Sequence, residues 1–141
     1  MYNILLNAHK GFGYLELLLV SLFIITLVIT SFGFSGKIKP LFRKITLFTM
    51  IFFHIQFLLG IVMLGIHFSS GTDMGSIMKD AALRFQYVEH PFSMLIAAIL
   101  MTIVNKKVKT NDTLSLKIFF MGILAVALFA FAFPWAKVFG L

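Results

Sequence analysis

The apolar positions of this chain fall into four runs, over residues 12–34, 42–68, 88–104 and 116–136, separated by short polar stretches. Read as helices, they predict an all-α protein: an integral membrane four-helix bundle forming a single transmembrane domain over residues 1–141. Gly33, Ser35 and Gly36 end the first run, and Pro40 in the basic loop that follows can open the second helix. The last run closes on Pro134 and Trp135, and tryptophan is enriched where a membrane meets water.

The third run is the one that looks too short. From Pro91 to Val104 it has fourteen residues, at 1.5 Å each about 21 Å of helix against a bilayer core of about 30 Å. To span, it must recruit Val88, Glu89 and His90, which puts an acid and an imidazole at or inside the membrane boundary. Ionisable groups are costly there and mark a function by default. Before this run, Met74, Ile77, Met78, Ala81, Leu83 and Phe85 recur at helical spacing, so a short interfacial amphipathic helix is expected between spans two and three. Pro91 should break it or start a new helix. Ahead of the fourth run, Asn111-Asp112-Thr113 could cap the last helix. The N-terminal run has no basic stretch before it and no small-residue cleavage site after it, so it reads as retained.

Composition sharpens the class. The chain is 60% hydrophobic and 12% charged, where soluble domains carry about 25% charged residues. It contains no cysteine, which excludes disulfides, thiolate metal sites, covalent haem attachment and cysteine nucleophiles. The net charge of +7 invites nucleic acid as a partner, but its distribution argues against one. Lys37, Lys39, Arg43, Lys44, Lys106, Lys107, Lys109 and Lys117 lie in or beside the loops after spans one and three, with Asp112 their sole acid. Lys10, Lys79, Arg84 and Lys137 on the other side are balanced by Glu16, Asp73, Asp80 and Glu89. This asymmetry follows the positive-inside rule. It predicts a protein of the inner (cytoplasmic) membrane with both termini on the non-cytoplasmic side and the lipid bilayer, not nucleic acid, as its partner.

His9, His67 and His90 all fall at one end of such a bundle, whereas His54 lies mid-span. Neutral imidazole is the commonest metal ligand, and helical bundles build cofactor sites from facing helices. Two such ligands would hold a b-type haem without cysteine. The plain alternative is that these are boundary histidines hydrogen-bonded to neighbours or headgroups. Helical spacing groups His9, Gly13, Glu16 and Val20 on one face, His90, Met94, Ala97 and Met101 on another, and Thr49, Gln56, Gly60, Met63 and His67 on a third. The small residues leave room for a flat macrocycle, or simply let helices pack closely. His54 is about 20 Å along the helix from His67 but about 140° around it, so a second haem is not expected. His54 should bond within the bundle or face a partner subunit. Glu16 is neutral, paired with Arg84 or Lys137, or set behind a histidine; Lys79, Asp80 and Arg84 could contact propionates or merely solvate the interfacial helix. No phosphate loop, HExxH or GxSxG element is present.

The runs NAHKGFGYLELLLV, HIQFLLGIVMLGIHF and LRFQYVEHPFSMLIAAILMTI, over about two thirds of the chain, resemble small four-span proteins described as cytochrome b-like. They are similar, more distantly, to one half of haem A synthase. The matching positions are His9, the Gln56-Phe57-Leu58-Leu59-Gly60 element and His90. The resemblance implies a haem b between His9 and His90 near the outer surface. The chain departs from haem A synthase in being one bundle rather than two fused halves, which argues against haem A synthesis itself. The expectation is therefore an electron-transfer protein rather than a stand-alone catalyst, with His9 and His90 as axial ligands and His67 competing for one position. Arg84, Gln56 and Gly60 complete the expected site, and a redox partner or larger membrane complex is implied. The alternatives are a non-catalytic accessory subunit of a membrane complex with structural histidines, and a small transporter using His54, Glu16 and methionines.

Overall fold

A computed structural model describes all residues from Met1 to Leu141. It is all-helical and has no strands. The helices are α1 (Tyr2–Val28), α2 (Pro40–Ser69), α3 (Met74–Lys79), α4 (Ala81–Arg84), α5 (His90–Thr110), α6 (Leu116–Ala132) and α7 (Trp135–Phe139), with π-turns at Ile29–Gly33 and Phe85–Glu89. Three continuous helical stretches, Tyr2–Gly33, Pro40–Ser69 and Ala81–Thr110, are long and apolar enough to cross a membrane; Leu116–Ala132 is a shorter apolar helix. α2 packs on α1 and on α5, α5 packs on α6, and α6 returns to α1.

The core follows the faces that helical spacing picked out. Val20 and Phe23 of α1, Phe42 and Phe53 of α2, Met94, Ala97 and Met101 of α5, and Ala125 and Phe129 of α6 are buried together. Phe23 and Phe42 stack with ring centroids 6.0 Å apart. Small residues let the helices close on one another. At Gly122 an added Cβ would lie 3.1 Å from Leu27 Cδ2 and 3.2 Å from Phe23 Cζ.

At the basic end the two loops are clasped together. The Ile38 amide donates to the Asp112 carbonyl at 2.8 Å and the Leu114 amide to the Gly36 carbonyl at 2.7 Å. Gly36 holds φ +80° there, and a side chain on it would press on the Leu114 carbonyl. Arg43 spreads its guanidinium over the carbonyls of Val108, Lys109 and Asn111, which are the ones the end of α5 leaves free.

Several expected boundaries shift, each for a physical reason. The third helix is not short: Ala81–Thr110 runs continuously for 30 residues. Pro91 has no N–H to offer the Tyr87 carbonyl, and the π-turn before it absorbs that mismatch, with the His90 amide donating to the Phe85 carbonyl. Glu89 and His90 therefore lie within a long helix, not at its start. The first helix begins at Tyr2, ahead of the apolar run that starts at residue 12, so His9 sits in its third turn. The amphipathic segment is not one helix. It is divided at Asp80, whose extended backbone ends α3 and whose carboxylate caps α4 by accepting from the Leu83 amide. The last helix stops at Ala132 rather than 136, because Phe133 is held extended by the proline after it. Ser115, not Asn111-Asp112-Thr113, caps α6; the Asn111 amide group donates instead to the Lys107 carbonyl.

Candidate functional site

At the end of the molecule away from the basic loops, the helices diverge around a cavity of about 620 Å³. His9, Gly13 and Glu16 of α1, Gln56, Gly60 and Met63 of α2, and His90 and Met94 of α5 line it. The C-terminal segment closes it with Phe129, Phe133 and Lys137. The three faces read from helical spacing thus converge on one space.

The His9 and His90 rings meet edge to face at its wall, centroids 6.1 Å apart and planes inclined by 78°. His90 is oriented by its own Nδ1–H, which donates to the Ala132 carbonyl at 2.8 Å. That carbonyl is free because α6 ends there. Pro134 also lacks the N–H that would bond the Ala130 carbonyl, and the Trp135 indole supplies one instead at 2.7 Å. With Nδ1 carrying the proton, His90 Nε2 holds the lone pair, the arrangement in which a histidine binds a metal.

On the opposite wall, Gln56 donates its amide to the His9 backbone carbonyl at 3.0 Å, tying α2 to α1 at the level of the ring. His9 Nδ1, Glu16 Oε1 and Gln56 Oε1 are all buried without a hydrogen-bond partner, and all three residues line the cavity. Buried polar groups without partners are rare, and three around one space indicate that it receives something polar. Two glycines keep the wall thin: a Cβ at Gly60 would lie 3.7 Å from His9 Cε1, and one at Gly13 would lie 3.1 Å from the Gln56 amide nitrogen.

His9, His90, Gln56 and Gly60 are therefore brought together as expected, but His67 and Arg84 are not. His67 stacks flat on Tyr87 at 4.0 Å and its Nε2 meets the Thr72 hydroxyl at 3.1 Å, outside the cavity wall. Arg84 turns to Glu89 (2.9 Å) and to the Met78 carbonyl, so neither Glu16 nor the cavity has it as a partner. Lys79 and Asp80 are absent from the wall as well. His54 bonds within the bundle, to the Met50 carbonyl on its own helix and to Thr102 of α5. The cations that do reach the cavity are Lys10 and Lys137, both exposed at its rim. Lys10 is adjacent to His9 in sequence, and Lys137 is at the end of the bundle that its sequence position implies; the turn at Pro134 brings it to the rim.

No three of the His, Asp and Glu side chains converge to hold a bare metal ion. The paired imidazoles supply two ligands at most, which suits a metal that arrives with its other ligands already in place. A metal between two imidazoles, with bonds of about 2 Å and ring radii of about 1 Å, sets the centroids about 6 Å apart. The observed separation, the mostly apolar lining and the two lysines at the rim fit a planar, apolar macrocycle with acidic substituents. Compared with protein-family models, curated proteins and solved structures, the chain shows no significant match to any.

Proposed function

We propose that the chain is a four-helix membrane bundle that holds one haem b between His9 and His90 and passes single electrons within a larger membrane assembly. The observation that carries this reading is the approach of two imidazoles from separate helices to 6.1 Å at the wall of a cavity of about 620 Å³. Haem supplies one-electron chemistry; the chain's part is to hold and tune it. His90, fixed by the Ala132 carbonyl, presents Nε2, and His9 approaches it from α1. Met94, Phe129 and Phe133 give apolar walls that keep water out, while Lys10 and Lys137 are placed to meet carboxylates at the rim. The likeness of the His9, Gln56-to-Gly60 and His90 elements to cytochrome b-like proteins supports the same reading.

Membrane insertion is supported by the three long apolar stretches and by the outward-facing Leu18, Ile25, Phe48, Leu58, Ile99 and Leu124. We count α6 as the fourth span; its 17 residues make about 26 Å of helix, which Phe133 and Trp135 extend to the interface. The charge asymmetry supports an orientation with the clasped basic loops in the cytoplasm and both termini across the cytoplasmic membrane from them.

The test is an absorption spectrum of the detergent-extracted protein. A Soret band that shifts on dithionite reduction is expected, and it should vanish in the His9→Ala/His90→Ala double variant. Stoichiometric haem retained by that variant would remove the assignment. The second reading, an accessory subunit with structural histidines, is favoured by the way His54 and His67 are satisfied by Thr102 and Thr72. It predicts a colourless isolated chain that co-purifies with larger subunits.

A further inference from the structure

A second cavity, of about 470 Å³, lies at the opposite, basic end between α5 and α6. Its walls are amphipathic by construction. On α5, Ile103 and Lys107 are one turn apart, with Asn111 just past the helix end, and on antiparallel α6 Lys117 and Met121 are likewise one turn apart. Each helix therefore sets a lysine one turn beyond an apolar side chain, and the two stripes face the same space. Thr113, in the clasped loop, adds a hydroxyl beside the lysines. Neither lysine is paired. The two ion pairs of the molecule are Arg43 with Asp112 and Arg84 with Glu89, and Asp112 is fully exposed. Eight basic residues and one acid occupy this end of the chain. Basic pockets between helices at a membrane surface bind anionic headgroups, and unpaired lysines near that surface attract them.

We propose that this groove is a binding site for one anionic phospholipid. The headgroup phosphate sits between Lys107 and Lys117, and an acyl chain runs down past Ile103 and Met121. The site rests on the membrane reading of the fold but not on the haem reading, from which it is separated by the length of the bundle. It would tie the α5–α6 pair, which carries both His90 and the Ala132 carbonyl that orients it, to the lipid composition of one leaflet.

Native mass spectrometry of the full chain in detergent, titrated with phosphatidylglycerol or phosphatidylcholine, tests it. One tightly retained phosphatidylglycerol is expected, with phosphatidylcholine binding at least tenfold more weakly. Lys107→Ala/Lys117→Ala should abolish that preference, whereas Lys39→Ala/Lys44→Ala, which removes the same charge from the same end outside the groove, should preserve it. Equal loss in both double variants, or no headgroup preference in the parent, would overturn the site. Competition by inorganic phosphate at millimolar concentration would assign the lysines to free anion and overturn the lipid. Failure of the membrane reading is seen separately, as protein recovered in the soluble fraction after alkaline carbonate washing, before any lipid is added.

Discussion

His90 Nδ1 and the Ala132 carbonyl lie 2.8 Å apart and join the middle of one helix to the broken end of another. A carbonyl only accepts, so the proton must be on Nδ1 and the lone pair on Nε2. The protein should therefore show His90 as the Nδ1–H tautomer by nitrogen chemical shifts of histidine-labelled material without cofactor. Moving the helix end should release it. Pro134→Ala restores an N–H for the Ala130 carbonyl and lets α6 continue, and is expected to convert His90 to a mixture of tautomers. An unchanged single tautomer in that variant would show that the helix break does not orient the ring.

Gly60 and His9 make a graded pair of tests. A methyl group at residue 60 would meet His9 Cε1 at 3.7 Å, an ordinary contact, so Gly60→Ala should leave both fold and pigment intact. Gly60→Leu pushes a branched side chain into the cavity, and is expected to lose the Soret band while far-ultraviolet circular dichroism stays unchanged. Gly13→Ala acts differently. Its methyl would lie 3.1 Å from the Gln56 amide nitrogen, so that amide must shift by a few tenths of an ångström and its bond to the His9 carbonyl weakens, at a cost of up to about 1.5 kcal/mol. Thermal melting in detergent should register that loss, and Gln56→Leu in the Gly13→Ala background should add little to it.

The faces of the helices were legible in the sequence because helical spacing is a local property. His9 with Gly13 and Glu16, His90 with Met94, and Gln56 with Gly60 all share the wall that their spacing implied. What misled was end chemistry. Pro91 can break a helix or start one, and it does stand in the first turn of α5; nothing local announces the π-turn that joins α5 to the segment before it. Arg84 is a plausible propionate contact by residue type alone, but it is occupied by Glu89 five residues on. The position of His67 along α2 says nothing of its azimuth, and its flat stack on Tyr87 depends on how α2 meets the π-turn. Lys137 enters the cavity only through the turn at Pro134, a tertiary event.

Arg43 holds the basic end together, and its loss should be felt more than that of any lysine there. Arg43→Ala leaves the carbonyls of Val108, Lys109 and Asn111 without their donor. Bonds from a charged donor contribute about 1.5–3 kcal/mol each when buried, and this side chain is partly exposed, so about 2 kcal/mol in all is expected. Arg43→Lys should recover less than half, because an ammonium cannot reach three carbonyls in the plane that a guanidinium spans. Amide exchange of residues 108–114 would rise in both variants and most in the alanine.

Gly122 and Gly65 separate packing from helix propensity. Both are helical, but an added Cβ at Gly122 meets Leu27 and Phe23, whereas at Gly65 it meets nothing within 4 Å. Leu27 and Phe23 are fully buried and have no room to retreat. Gly122→Val should therefore destabilise by about 1–3 kcal/mol through overpacking, and Gly65→Val should be close to neutral. A comparable loss at both positions would mean that α6 is not pressed against α1 as tightly as the side chains indicate.

Asp73 gives the one pH response outside the long helices. Its carboxylate accepts from the Gly75 and Ser76 amides and the Ser76 hydroxyl, and these bonds hold its pKa below the usual aspartate range. A carboxylate depressed in the folded state stabilises α3 fully above its unfolded value, near pH 4. That contribution is lost as the pH falls through the lower folded value. Exchange of the Gly75 and Ser76 amides, corrected for intrinsic rates, should rise only below about pH 4, while amides of α5 remain protected. Asp73→Asn keeps one side-chain oxygen, enough to accept from the Ser76 amide as an N-cap, and should flatten the profile without unravelling the turn. If the profile of the asparagine variant still bends in the same place, the Asp73 carboxylate does not govern the pH response of α3.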